Sequence, residues 1–147
     1  MDADALARAC AEIMWADDKA AQALGMVIRS VSAGRAVIEM TVGPTMVNGH
    51  HTCHGGYIFT LADTAFAYGC NSRNDRAVAQ HCTVTFIAPA REGQVLTATC
   101  EERQRYGRSG VYDVTVSDDH GKPIAEFRGL SRTIRGTFLP PEAVEGA

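Results

Sequence analysis

A basic excess is missing from this 147-residue chain: 14 Lys and Arg stand against 17 Asp and Glu, a formal charge of −3. That balance excludes the positive footprint with which proteins grip nucleic acid. Long apolar runs are missing too, and none reaches the roughly 20 residues that a membrane-spanning helix needs. The opening stretch, MDADALARACAEIMWADDKAAQALG, places no basic flank before an apolar core, so it does not read as a secretory signal. Cys10, Cys53, Cys70, Cys82 and Cys100 are odd in number and form no CxxC pair. Free thiols in a reducing cytoplasm fit better than a disulfide framework. Internal repeats, low-complexity tracts and linkers are also absent, and the length suits one domain with a real core.

What is there is a clear alternation of periods. Residues 3–22 are rich in Ala, with Leu6, Cys10, Ile13, Met14 and Trp15 at helical spacing, and they predict an amphipathic helix stopped by Gly25. Met26 to Ser32 and Arg35 to Val42 predict two strands joined at Ser32-Ala33-Gly34. Gly43-Pro44 ends the second strand, because proline cannot serve a central ladder. Gly55 to Cys70 then predicts a helix roughly 24 Å long that is apolar almost all round. Such a helix belongs in a core. Ala77 to Ala88, Gln94 to Arg105, Val111 to Ser117 and Lys122 to Ile134 predict four further strands in an antiparallel meander, linked by glycine- and aspartate-rich turns. The economical solution is an α+β fold, with about six strands curled around the long helix and an N-terminal helix beside them. Residues 1–136 form this single domain. Residues 137–147 hold two prolines and little to bury, and are expected to be flexible.

The chemistry concentrates in NGHHTCHGGYIFTLADTAFAYGCN, from Asn48 to Asn71. Gly55 and Gly56 let a substrate approach the backbone, and the amides of a helix N-terminus point outward with a positive dipole. An amide there can stabilise the oxyanion of an attacked carbonyl; taken alone, the glycines fit a tight turn into a crowded helix better. Asp63 sits in mid-helix, where an aspartate is costly to bury. It reads equally as a functional carboxylate or as half of a buried salt bridge to Arg73 or Arg128, with Thr60 and Thr64 as hydrogen-bond partners. Eight residues separate it from Gly55, roughly 12 Å along one helix. One reacting carbonyl cannot meet both, so joint action needs a second copy of the chain with its central helix antiparallel to the first. His50, His51, Cys53 and His54 do not close easily on one ion, and no second pair lies at structural-zinc spacing. Asn48 offers an amide for water or a carbonyl, although Asn-Gly is also a common turn. Arg91, Arg103, Arg105 and Arg108 cluster around turns, where they can meet phosphates or form a solvated rim.

NGHHTCHGG followed by LADTAFAYGCNS resembles the PaaI-like, phenylacetic-acid-degradation branch of the hotdog-fold acyl-CoA thioesterases. VAQHCTVTFIAPAREGQVLTATC, RSGVYDVTV and IAEFRGLSRTI are similar as well, so the resemblance covers roughly residues 12–134. It implies a long helix inside a curved antiparallel sheet and a catalytic homodimer, often doubled to a homotetramer, with no cofactor beyond the CoA of its acyl-CoA substrate. By the same resemblance Asp63 is the nucleophile or general base, the Gly55 amide polarises the thioester carbonyl from the other subunit, Asn48 places water or carbonyl, and His54 braces the loop. Tyr57, Phe59, Thr64 and Phe66 are then candidates to line the acyl site, and Arg91 and Arg108 to hold CoA phosphates. An aromatic acyl group such as phenylacetyl or hydroxyphenylacetyl is the implied substrate. A medium-chain thioesterase, a hotdog dehydratase and a non-catalytic acyl-CoA-binding module are the alternatives. Ala79 stands where some relatives carry a serine, so no hydroxyl orients water at that position.

Overall fold

The computed structural model describes residues 1–145. In chain order the elements are α1 (Ala3–Asp17), α2 (Lys19–Ala23), β1 (Val27–Ser32), β2 (Arg35–Thr41), α3 (Gly55–Cys70), β3 (Ala77–Phe86), β4 (Val95–Tyr106), β5 (Ser109–Ser117), β6 (Pro123–Thr133) and α4 (Pro141–Glu145). The central helix has the boundaries its composition predicts. The single N-terminal helix of the sequence reading is two helices. Asp18 ends α1 and caps α2, its Oδ1 accepting from the Ala21 amide at 3.3 Å. Its other oxygen accepts from the Tyr68 hydroxyl at 3.0 Å, tying this break to α3.

All six strands join one antiparallel sheet in the order β1-β2-β4-β5-β6-β3. The expected meander of four strands is therefore only a meander of three. β2 takes the place beside β4, from Arg35↔Glu101 to Thr41↔Val95, while β3 pairs with β6 at the far edge. Between β2 and β3 the chain passes through α3, which packs across the concave face and delivers the chain to the opposite side of the sheet. Strand periodicity says which face each residue takes, not which neighbour each strand finds.

The strands bury alternate residues against the helix: Ala36, Ile38 and Met40 from β2, Leu96, Ala98 and Cys100 from β4, Tyr112, Val114 and Val116 from β5. α3 answers with Leu61, Ala62, Ala65, Phe66 and Gly69. Close approach decides two glycines here. A Cβ on Gly69 would lie 2.6 Å from the Cys100 sulfur, and one on Gly129 would lie 2.7 Å from the Phe66 ring. Phe66, a candidate for the acyl site, is instead core: it is 1% exposed and its ring packs between Phe127 and Tyr112, with centroids 5.7 Å from each.

The C-terminal segment falls partly outside the described residues. Within them, Asn74 holds residues 138 and 139: its Oδ1 accepts from the Phe138 and Leu139 amides at 3.0 and 2.8 Å, and its Nδ2 donates to the Leu139 carbonyl. Arg76 lies over the Phe138 ring, 4.4 Å from its centroid. No helix among the described residues is long and apolar enough to cross a membrane.

Candidate active site

The loop before α3 is built by Asn48. Its Oδ1 accepts from the amides of His50 (2.9 Å) and Thr52 (3.3 Å) and from the Thr52 hydroxyl, while its backbone pairs with Thr52 and His51. The side-chain oxygen is thus committed to the turn, and only the Nδ2 amide is left to donate outward. His51 sits at φ 62°, a left-handed conformation costly for a non-glycine residue, at about 1 kcal/mol or more. The loop closes when the His54 amide donates to the Met46 carbonyl at 2.7 Å and the Cys53 amide to Ala90 at 2.8 Å.

His54 is the N-cap of α3. Its Nδ1 accepts from the Gly56 amide at 2.9 Å, and its carbonyl accepts from Tyr57. Nδ1 therefore carries the lone pair, and in the neutral ring the proton sits on Nε2, facing solvent. With Gly56 and Tyr57 satisfied, the Gly55 N–H is left: among the described residues nothing accepts it. An orphan amide at the positive end of a sixteen-residue apolar helix is a ready oxyanion donor.

No motif or periodicity marks the group that packs against Gly55. The Phe86 ring, half exposed at the end of β3, lies so close to Gly55 that a Cβ there would be 2.9 Å from Cζ. Gly55 and Phe86, with Cys53, Ile58, Ile87, Ala88 and Pro89, line an open cavity of about 370 Å³. A larger groove of about 530 Å³ runs between α1 and β1; Arg8, Glu12, Arg29 and Ser30 are among its lining residues, and Arg29 is bound to Glu39 at 2.8 Å.

Asp63 lies half-buried two turns further along α3, and neither cation considered as its partner reaches it. Arg73 is bound to Glu102, and Arg128 to Asp113. The threonines do not serve it either: Thr60 donates to the Gly56 carbonyl at 2.8 Å, and Thr64 to the Thr60 carbonyl at 2.6 Å. Burial without a compensating charge pushes the Asp63 carboxyl above its ordinary value. Cys70 and Cys82 lie near enough to feel its charge, and burial pushes the Cys70 thiol up to about 12. Both thiols are raised and so stay protonated, which makes them poor nucleophiles. Burial raises the Cys53 thiol as well, and its proton points to the His54 carbonyl at 3.6 Å. Among the described residues no three His, Cys, Asp or Glu side chains come together as a metal site.

The remaining candidates divide. Tyr57 is half-buried and edge-on to His54, centroids 6.3 Å apart; Phe59 is half-buried against Phe127 at 5.5 Å. Arg91 pairs through its backbone with Thr52, beside the Asn48 loop. Arg108 accepts from the Thr133 amide, next to the segment that follows the other end of α3. Arg91 and Arg108 of one chain therefore lie at opposite ends of the central helix.

A family model of the thioesterase superfamily matches residues 50–125, from the Asn48 loop to the first residues of β6. The chain is 48% identical to the acyl-coenzyme A thioesterase PaaI of Escherichia coli K12 over 128 residues, which cover 87% of this chain and 91% of that one. It is 33% identical to a putative esterase of Archaeoglobus fulgidus over 129 residues, covering 88% and 84%. Its fold superposes on the structure of the E. coli PaaI protein from the phenylacetic acid degradation operon with a TM-score of 0.91 at 46% identity, covering 92% of this chain and 99% of that one. With its six-stranded curved sheet around one long helix, the chain belongs to the thioesterase superfamily and has the hotdog fold.

Proposed function

We propose that this protein is an acyl-CoA thioesterase that hydrolyses aromatic acyl-CoA esters in the cytoplasm, phenylacetyl-CoA or a hydroxyphenylacetyl-CoA first among them. The single observation that carries the catalytic reading is the pair of groups on α3 left unmet among the described residues: an orphan N–H at Gly55 and an unpaired half-buried carboxylate at Asp63. They are eight residues, roughly 12 Å, apart on one helix, so one site draws them from two protomers. The edge strand β3 supports a homodimer. It is ten residues long, open along one side and unprotected, and Val78 (47%), Phe86 (51%) and Ile87 (54%) are exposed on it or just past it. Antiparallel pairing of two such edges lays the two central helices side by side. Two such dimers joined give the homotetramer.

In this reading the thioester carbonyl accepts from Gly55 of one protomer, and the partner's Asp63 activates water or attacks directly. Asp63 works as an anion. Its raised value makes it a stronger base than an exposed aspartate and carries the acid limb of the activity profile upward with it. The tetrahedral oxyanion is held by the Gly55 amide at the helix N-terminus, and collapse expels CoA thiolate, a good leaving group. Tyr57 and Phe59 flank the acyl group; Asn48 and His54 hold the loop in place. E. coli PaaI, similar over most of both chains, carries the name of the same activity.

Free thiol release from phenylacetyl-CoA, with octanoyl-CoA in parallel, tests the reading in the parent and in Asp63→Ala. Turnover should fall at least about a hundredfold in the variant, the scale of a lost general base. Equal cleavage by both proteins would remove Asp63 from the mechanism, and a preference for octanoyl-CoA would replace the aromatic substrate with a medium-chain one.

A further inference from the structure

The end of β3 is bound into the loop that carries the Gly55 amide. Beyond Phe86, the Ile87 and Ala88 amides both donate to the Ile124 carbonyl, at 2.8 and 3.2 Å, which keeps the strand end on β6. Further on, the Ala90 carbonyl accepts from the Cys53 amide at 2.8 Å, and Arg91 bridges to Thr52. The same segment is thus fastened to the Asn48 loop. Phe86 stands in register with the buried Ala125, and Val84 with the buried Phe127, so its ring takes the concave face that α3 occupies. There the tip of the ring meets Gly55: a Cβ at that position would lie 2.9 Å from Cζ and 3.2 Å from Cε1. The glycine and the ring share one space.

That arrangement sets the surroundings of an N–H with no acceptor among the described residues. Cys53, Ile58, Phe86, Ile87, Ala88 and Pro89 line the cavity with it. Among their side chains only the Cys53 thiol has a polar atom, and it turns to the His54 carbonyl at 3.6 Å. A water molecule is held well only with about two to four polar partners, and these side chains do not supply them. A hydrogen bond from a helix N-terminus is also worth more where water is kept out. The ring itself is half exposed, at the mouth of the cavity rather than sunk in the core.

We propose that Phe86 is a positioning residue for the oxyanion donor: its ring shields the Gly55 N–H from bulk water, so that the amide meets the thioester carbonyl in an apolar setting. The shielding rests on the fold of one chain, and its use in catalysis rests on the thioesterase reading above. Residue 55 is then glycine for a second reason besides substrate approach. A side chain there would push the ring aside and let water reach the donor.

Amide hydrogen exchange at Gly55 tests the shield directly, in the parent, in Phe86→Ala and in Phe86→Leu. The parent amide should be protected although it has no acceptor. Exchange should rise at least about tenfold in Phe86→Ala, and Phe86→Leu, which keeps apolar bulk, should restore most of the protection. Turnover of phenylacetyl-CoA tests its use. Phe86→Ala should lower kcat at least about tenfold with KM within about twofold, because the shield strengthens a bond made in the transition state. Gly55→Ala should lose a similar factor, and Gly55→Ala/Phe86→Ala little more than either alone, since each change removes the same ring from the same place. An unchanged kcat, a rise in KM alone, or losses that multiply in the double variant would overturn the assignment. So would a Phe86→Ala protein that falls to monomers where the parent is a dimer, which would make Phe86 an interface group. A Gly55 amide that exchanges freely in the parent overturns it whatever the turnover. Protection that depends on Phe86 in a parent without turnover upholds the shield and rejects the thioesterase reading instead.

Discussion

Two carboxylates in this molecule show opposite treatments of a buried charge. Glu102 on β4 accepts from Arg73 Nε and Nη2 at 3.1 and 3.0 Å and from the Tyr112 hydroxyl at 3.0 Å. Burial works against its charge, but the hydrogen bonds from Arg73 and Tyr112 overcome it and hold the carboxyl below its ordinary value. Asp63 is half-buried too but has none of these partners, so desolvation alone acts and the carboxyl goes up. Glu102 locks the turn after α3 to the sheet. Asp63 is left in a state that only a substrate, water or a second chain can relieve. A protein spends folding energy on such a group when function requires it.

The sharpest way to break this contrast is to delete each carboxylate in turn. Asp63→Ala should abolish most turnover and yet raise the thermal midpoint at neutral pH, because an ill-solvated charge is gone and alanine is the better helix former. Glu102→Ala should do the reverse. It strands Arg73 and the Tyr112 hydroxyl, costing roughly 1–3 kcal/mol, with the lower end favoured because the Arg73 side chain is 35% exposed. Its turnover at a temperature where it is folded should stay within a few-fold of the parent. If Asp63→Ala proves as destabilising as Glu102→Ala, Asp63 is a structural group and the comparison fails.

A smaller effect sharpens the contrast through pH. The raised Asp63 value favours the folded state fully below the unfolded aspartate value near 3.8, and that contribution is lost as pH rises through the folded value. The lowered Glu102 value contributes above the unfolded glutamate value near 4.5 and is lost as pH falls through the folded one. Melting curves from pH 3 to 8 should therefore show the stability gain of Asp63→Ala shrinking toward acid, to what helix propensity alone supplies. The deficit of Glu102→Ala should shrink toward acid as well, since the parent then loses the same ion pair. A gain for Asp63→Ala that is constant with pH would show that its carboxylate is not desolvated.

His54→Ala is the smallest of these. Losing the N-cap bond to Gly56 should cost about 1 kcal/mol. His54→Asn, which can accept from the same amide, should recover most of it together with the turnover lost when the loop loosens. No difference between the two variants would mean that the imidazole acts through its Nε2 side instead.

Much of this was legible in the residues, and the failures are instructive. The run from Gly55 to Cys70 reads as a buried helix because apolar side chains all round leave no other place for it, and the structure gives those bounds. Asp63 stood out because it breaks that pattern. What it lacks was not legible: Arg73 and Arg128 were plausible partners until the fold committed both elsewhere. Phe66 and Phe59 carry the same signal at helical spacing, and only the sheet above Phe66 makes it core. Phe86 carried no mark of its place over Gly55, since only tertiary packing brings the end of β3 to the start of α3.

By itself the sequence determined the local periods, the helix that must be buried and the polar groups that break its pattern, because these depend on side chains a few residues apart. Only the tertiary structure decided that β3 and not β1 follows β6, that the Gly55 amide is left without an acceptor among the described residues, and that Arg73 and Arg128 are committed to Glu102 and Asp113. Those are matters of which distant residues become neighbours, and a one-dimensional pattern records faces and turns but not partners.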